Sequence, residues 1–324
     1  MNPDPSAAKQ ELHSRDGDSW TRWVHQVRAL EFEGMIGRVP LGADAAVLEL
    51  GSGDGFQLGL LRARFRRVFA IDPGRRPDGL EVAISPDQHH PAAGGTVPPH
   101  LRREASAEAG GAPAGAGLTP GATVAIAAQG PNDAAIGGFC FAVAEHLPFP
   151  DSTFDLVVSN CVLEHLENRR RGLDEMVRVL KPGGFAAHVV PSRFWKVASV
   201  LFNPLGYPLR VIEKWWAARR YPNSLPSTGL NRAATRPSVG QVLGRWFYPP
   251  IHGTYRSHRA EYVEYGRKQW LESLRHPRLV HVADAPLVCA TQFGFLRFRF
   301  IAARKWLGRH GLDVSRVIVM QKVG

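Results

Sequence analysis

Cysteine is scarce in this chain: there are three in 324 residues, Cys140, Cys161 and Cys289, far apart and in no C-x-x-C pair. So sparse and odd a set indicates neither a disulfide framework nor a zinc site, and it points to a reducing compartment. Also missing is any apolar run near the ~18 residues that a membrane span requires. The N-terminus, Met-Asn-Pro-Asp-Pro, has no basic stretch followed by an apolar core. A cytoplasmic protein is expected, soluble or peripheral at a membrane surface. Aromatic side chains are absent from residues 91–137, where 29 of 47 residues are Ala, Gly or Pro. Such a stretch lacks the side chains to bury a core, so a flexible low-complexity surface insertion is expected over about 85–137. Acid is short in residues 193–324, which hold 6 Asp+Glu against 22 Lys+Arg, an excess of +16. The remainder, residues 1–192, has 18 Lys+Arg against 23 Asp+Glu, or −5. Solvent, nucleic acid and anionic lipid are all compatible with the basic half.

The feature with most chemical content is Ala46-Val-Leu-Glu-Leu-Gly-Ser-Gly-Asp-Gly-Phe56. A short apolar run carrying a carboxylate, then three glycines at alternate positions, reads as a buried strand turning sharply into a helix that starts near Asp54. Glycine permits positive φ and lets a ligand approach the main chain, while the free N–H groups of the helix face the turn. A dinucleotide fingerprint would place its third glycine at position 56, which is Phe56. A second apolar run, Val68–Ile71, ends at Asp72, 21 positions after Gly51. That is the distance at which one strand-helix-strand unit brings an acid beside the first turn.

Along the rest of the chain, residues 1–18 are polar and expected to be disordered. Trp20, Trp23, Val24, Val27 and Leu30 fall at helical spacing. Strands are expected at Gly138–Val143, Phe154–Asn160, Phe185–Val190, Leu279–Val282 and Arg316–Val319, with a helix near Leu173–Leu180 stopped by Lys181-Pro182-Gly183-Gly184. Leu209, Val211, Ile212, Trp215 and Trp216 cover one side of a further helix, fit either for packing on the sheet, the preferred reading, or for a membrane surface. Phe293–Trp306 has no clean period.

The segment Glu-x-Gly-x-Gly-x-Gly resembles motif I of the class I S-adenosylmethionine-dependent methyltransferases. The ordered block that follows, Ala144-Glu145-His146-Leu147-Pro148-Phe149, Phe154-Asp155-Leu156-Val157, Leu163-Glu164-His165 and Leu180-Lys181-Pro182-Gly183-Gly184, is similar to the small-molecule enzymes of ubiquinone and menaquinone biosynthesis. The resemblance covers roughly residues 45–192. It implies an α/β, doubly wound, seven-stranded Rossmann-like sheet in the order 3-2-1-4-5-7-6, comprising a cofactor core over 19–192 and a helical, basic elaboration over 193–324 that completes the sheet. It places Gly51, Gly53 and Gly55 under the methionine portion of S-adenosylmethionine, Asp72 on the ribose, and Ala144 and Glu145 near adenine. Glu49, Ser52 and Asn160 complete the cofactor set. The family's adenine-facing aspartate falls on Val143, a departure that leaves that contact to backbone atoms or to Glu145. A helix ahead of the first strand, as here, often closes over the substrate in such proteins.

Methyl transfer from a sulfonium needs alignment more than acid–base chemistry, but an oxygen nucleophile must lose a proton. His165 is the best placed base, followed by His252 and Tyr255. In some related quinol enzymes an acid–histidine segment helps hold a divalent metal, but Glu164 with His165 supplies only two ligands, so no metal is assigned. Ser159-Asn160-Cys161-Val162 lacks the Asn/Asp-Pro-Pro-Tyr/Phe of amino-group methylases, which argues against nucleobase methylation. The expected activity is methyl transfer to a small-molecule, lipid-linked or glycan acceptor. The alternatives are a non-catalytic cofactor-binding subunit and an RNA methylase using the basic half.

Overall fold

The computed structural model describes residues 19–74, 124–127, 136–220, 240, 244, 246–290 and 300–324. The expected disordered tail and most of the insertion lie outside them. Eight strands make one sheet: β1 (Ala46–Leu50), β2 (Arg67–Asp72), β3 (Val124–Ala127), β4 (Ile136–Phe141), β5 (Phe154–Asn160), β6 (Leu180–Pro191), β7 (Leu279–Pro286) and β8 (Ser315–Lys322), in spatial order β3-β4-β2-β1-β5-β6-β8-β7. Leaving out β3, this is the expected 3-2-1-4-5-7-6. β4, β2, β1, β5 and β6 are parallel, whereas β8 pairs antiparallel with both β6 and β7.

β1 is buried along its whole length because helices cover both faces of the sheet, which is why Ala-Val-Leu-Glu-Leu is nearly continuous rather than alternating. Ala46, Leu48 and Leu50 join one core with Phe154, Leu173, Tyr265 and Trp270. Val47 joins the other, with Phe32, Met35, Leu58 and Leu61. The second face is covered by α1 (Ser19–Ile36) and α2 (Phe56–Arg64), and the first by α3 (Arg169–Val179) and α6 (Arg267–Ser273). Further helices are α4 (Arg193–Arg220), α5 (His258–Glu264) and α7 (Ile301–Leu307).

Several motif residues position the chain rather than the ligand. Asp155 accepts the Ala46 N–H at 2.8 Å and the Lys181 ammonium at 2.8 and 2.9 Å, joining the starts of β1 and β5 to that of β6. Arg178, from α3, donates to the carbonyls of Leu147 and Phe149 and to the Asp151 and Glu175 carboxylates, which fixes the Leu-Pro-Phe-Pro-Asp loop.

The structure corrects four expectations. α2 begins at Phe56 rather than Asp54, whose Oδ1 instead accepts the Phe56 N–H at 3.1 Å. β4 lies two residues earlier than the apolar run suggested, so it draws Ile136 and Gly137 out of the insertion. Val124–Ala127, also in the insertion, pairs antiparallel with β4 as a short edge strand; small and β-branched side chains suffice where backbone hydrogen bonds do the pairing. β6 begins at Leu180 rather than Phe185, so Lys181–Gly184, which follows the end of α3 at Val179, is itself part of the strand, with Gly183 at φ 77° near an irregularity in the β5–β6 pairing.

Candidate cofactor and acceptor site

The carboxyl ends of β1, β2, β4 and β5 meet where strand order reverses direction from β1, the position at which open α/β sheets bind ligands. Gly51, Gly53 and Gly55 have φ of 68°, 54° and 81°, so all three alternate positions use the left-handed region that glycine enters without strain. A β-carbon on Gly51 would lie 2.6 Å from Val162, while one on Gly53 would meet nothing within 4 Å. The first glycine is therefore required by packing, and the second borders open space.

Asp72 is tied to this turn. Its Oδ2 accepts the Gly53 N–H at 3.0 Å and its Oδ1 the Gly74 N–H at 3.0 Å, while the N–H groups of Gly51 and Ser52 donate to the Ile71 carbonyl at 2.8 and 3.1 Å. Asp72, 21 positions after Gly51, is thus in direct contact with the glycine turn. Ser52 is buried and its Oγ has no hydrogen-bond partner; Glu49 is 1% exposed and its Oε2 has none either. Burial pushes the Glu49 carboxyl up to about 8, against the opposing pull of a hydrogen bond with Gln57 and the positive charge of Arg28. Unpartnered buried polar atoms beside a glycine turn fit a ligand carrying both donors and positive charge.

Ala144 and Glu145 leave β4 beside Asp72, since β2 and β4 pair Asp72 with Phe141. Ala144 is buried; the Glu145 carboxylate accepts the Asn168 N–H at 3.3 Å. Val143 carries no polar side chain, and its carbonyl accepts the His146 N–H at 3.1 Å. Asn160 ends β5, and its amide donates to Glu31 at 3.0 Å and to Gln57 at 3.1 Å while its Oδ1 accepts from Arg28.

Arg28 and Glu31 come from α1, which also sets His25 on the turn: its ring stacks on Phe56 at 4.1 Å and its Nε2 lies 2.8 Å from Asp54 Oδ2. Sequence reading found α1 but not these residues. The available signal was an acid and a base three apart on a helix, beside Val24 and Val27, a pairing that a solvated face would not need to bury. Glu31 is buried, and its Oε1 also accepts the Ser315 hydroxyl at 2.6 Å.

His165 sits in a one-turn helix after β5, its ring 4.6 Å from that of His252, which in turn lies 5.2 Å from Trp195. Partial burial lowers the His165 pKa and Glu164 opposes that, while His252 adds to the lowering. Tyr255 accepts a hydrogen bond from Arg169 at 3.0 Å and packs edge-on against Tyr265. Gly253, at φ 81°, lets this loop lie against the Glu164 backbone, where a β-carbon would come 2.5 Å from the carbonyl oxygen. Glu164 is fully buried and neither carboxylate oxygen has a hydrogen-bond partner; His252 Nε2 is 3.4 Å away. Ligand atoms of Glu164, His165 and His252 lie within 4.8 Å of one another, so the third member that sequence lacked comes from the loop after α4. A carboxylate with two imidazoles is a donor set suited to a divalent cation.

Residues 118–188, 71 of the 324, match the family profile described as a methyltransferase domain. The ubiquinone/menaquinone biosynthesis C-methyltransferase UbiE of Cupriavidus necator is 32% identical over 96 residues, covering 30% of this chain and 38% of that protein. An uncharacterised methyltransferase of Schizosaccharomyces pombe is 28% identical over 142 residues, covering 42% of this chain and 45% of its own. The chain therefore spans less than half the length of these curated relatives. Among solved structures, geranyl diphosphate C-methyltransferase from Streptomyces coelicolor superposes with a TM-score of 0.46 at 12% identity, over 99% of this chain and 85% of that one. Residues 118–188 of this chain thus match a methyltransferase-domain profile, within a sheet that has the expected strand order and a glycine turn tied to Asp72.

Proposed function

We propose that the chain transfers a methyl group from S-adenosylmethionine to a small-molecule or lipid-linked acceptor with a planar apolar part. The observation that carries this reading is the coupling of Asp72 to Gly53 at the switch point of the sheet. When bound, the cofactor supplies a methyl group already activated by a sulfonium. The open space at Gly53 admits a ligand against the main chain, and the Asp72 carboxylate accepts ribose hydroxyls. Ser52 Oγ and Glu49 would meet donors and positive charge, and His25 of α1 stacks on Phe56, the first residue of α2, beside the turn. The aromatic side chains of Trp195, His252 and Tyr255 beside His165 support a planar acceptor, held so that its nucleophile is aligned for in-line displacement. His165 accepts a proton from an acceptor hydroxyl.

The test is transfer of label from methyl-labelled S-adenosylmethionine into a metabolite and lipid extract, with RNA in a parallel tube. Label in the organic phase supports the reading. Binding of the cofactor with no transfer would favour a non-catalytic subunit, and label in RNA would move the acceptor to nucleic acid.

A second reading rests on the buried, unpartnered Glu164 beside His165 and His252. In it these residues hold a divalent cation that orients an acceptor oxygen. Calorimetric titration of the full chain with magnesium, manganese and zinc, repeated on Glu164→Gln, separates the two: a cation-binding heat lost in the variant favours the cation, and its absence leaves His165 as the base.

A further inference from the structure

α4 is built inside out. At about 100° per residue, Lys196, Ser199 and Asn203 share one side of the helix, and Val197, Leu201, Leu205, Ile212 and Trp215 share the other. The polar side faces the protein. Lys196 is buried and pairs with the fully buried Glu261 of α5 at 2.5 Å, the Ser199 hydroxyl donates to the Lys196 carbonyl at 2.9 Å, and Asn203 donates to the Trp246 carbonyl at 2.9 Å. The apolar side faces out: Leu201 is 64% exposed, Leu205 62%, Ile212 51%, Trp215 48% and Val197 46%. A soluble surface helix has the opposite arrangement. Of the five residues that the preferred expectation packs on the sheet, Leu209, Val211, Ile212 and Trp215 are exposed instead, while the Trp216 side chain lies outside the described residues.

The apolar surface extends beyond the helix. Trp246 is tied to α4 by its indole N–H, which donates to the Pro204 carbonyl at 2.6 Å, and Trp246, Phe247, Tyr248 and Ile251 are all exposed. Tyr248 stacks on His258 at 6.0 Å, and the exposed Arg256 and Arg259 flank that histidine in sequence. A patch of aliphatic and aromatic side chains beside arginines, on a half of the chain with an excess of +16, is complementary to an anionic bilayer surface. The stripe from Val197 to Trp215 is about 27 Å long. No described helix is long and apolar enough to cross a membrane, so α4 would lie in the interfacial plane. A second copy would bring the same basic surroundings against themselves, which disfavours self-association through this face.

We infer that the apolar side of α4, with the Trp246–Ile251 segment, docks the protein on anionic lipid membranes. The inference stands apart from methyl transfer, since none of these exposed side chains belongs to the cofactor turn. The test uses the full chain floated with vesicles of phosphatidylcholine alone and of phosphatidylcholine mixed with phosphatidylglycerol. The expected result is recovery with the anionic vesicles only, reduced by added salt. Recovery should fall about tenfold in Leu201→Glu/Leu205→Glu, with melting temperature and S-adenosylmethionine binding unchanged. Trp215→Ala should reduce recovery by a smaller factor. Absence of flotation, or equal flotation of wild type and double variant, overturns the inference. So does loss of the folded state in the double variant, which would make these side chains core. Sedimentation supplies the remaining contrary outcome: a concentration-dependent dimer, abolished by the same two substitutions and without vesicle binding, would assign the face to a second copy.

Discussion

Two buried ionisable side chains make opposite demands on the folded protein. His188, fully buried in β6, has Nδ1 2.8 Å from Ser159 Oγ and no partner for Nε2, and burial lowers its pKa from 6.5 to about 4. Between those values the unfolded chain binds a proton that the folded chain refuses, so His188 contributes stability above pH 6.5 that is lost as pH falls towards 4, on the order of 3 kcal/mol. Glu49 works in the other direction. Its folded pKa of about 8 lies above the ordinary 4.5, so its contribution is complete below pH 4.5 and is lost as pH rises through 8. Urea midpoints of the ligand-free protein should therefore fall on the alkaline side in wild type and less in Glu49→Gln, and fall on the acid side in wild type and less in His188→Asn. An unchanged pH profile in either variant would remove that side chain from the account. Neither shift could be read from sequence: His188 occupies an apolar run in which nothing marks it as unprotonated, and the groups that oppose the effect of burial on Glu49, Gln57 and Arg28, come from two different helices. The glycines and Asp72 were legible because their roles follow from local backbone geometry and from the length of one strand-helix-strand unit.

α1 is the element that converts an open turn into a covered site. Its Arg28 donates to Asn160 and lies 3.6 Å from buried Glu31, and Asn160 in turn reaches Gln57, so three elements converge on the end of β5. Arg28→Ala leaves Glu31 without its cation and should cost about 1.5–3 kcal/mol in urea unfolding; a loss below a few tenths would show that the network is solvated. The insertion divides in two. Removing residues 91–118 should leave the melting temperature within a degree or two of wild type. Extending the deletion to Ala127 removes β3 and exposes the β4 edge, so it should lower the melting temperature and promote aggregation. Equal melting temperatures for the two deletions would mean that β3 adds nothing. Composition alone concealed this strand, because four residues of Val-Ala-Ile-Ala carry too little side chain to stand out among their neighbours. The parallel strands were readable as apolar runs, whereas α4 was misjudged because its outward side looks, in sequence alone, like a core-facing stripe.

Across the whole molecule, the regions that read clearly and those that did not divide near residue 192. Up to that point the parallel strands and the glycine turn follow pattern and spacing, and the departures are confined to β3, the bounds of β4 and β6 and the first residues of α2. Beyond it the chain supplies β7 and β8 to complete the sheet, the Gly253 loop to bring His252 to Glu164, and a helix whose apolar side is exposed. The central claim is that the turn from Glu49 to Gly55, with Asp72, is the seat of S-adenosylmethionine. Titration calorimetry of the full chain with S-adenosylmethionine, on wild type and Asp72→Ala, tests it most directly. The account predicts one site in wild type and a loss of about 1.5–3 kcal/mol in the variant, roughly tenfold or more in affinity. No binding to wild type, or equal affinity in the variant, would contradict it.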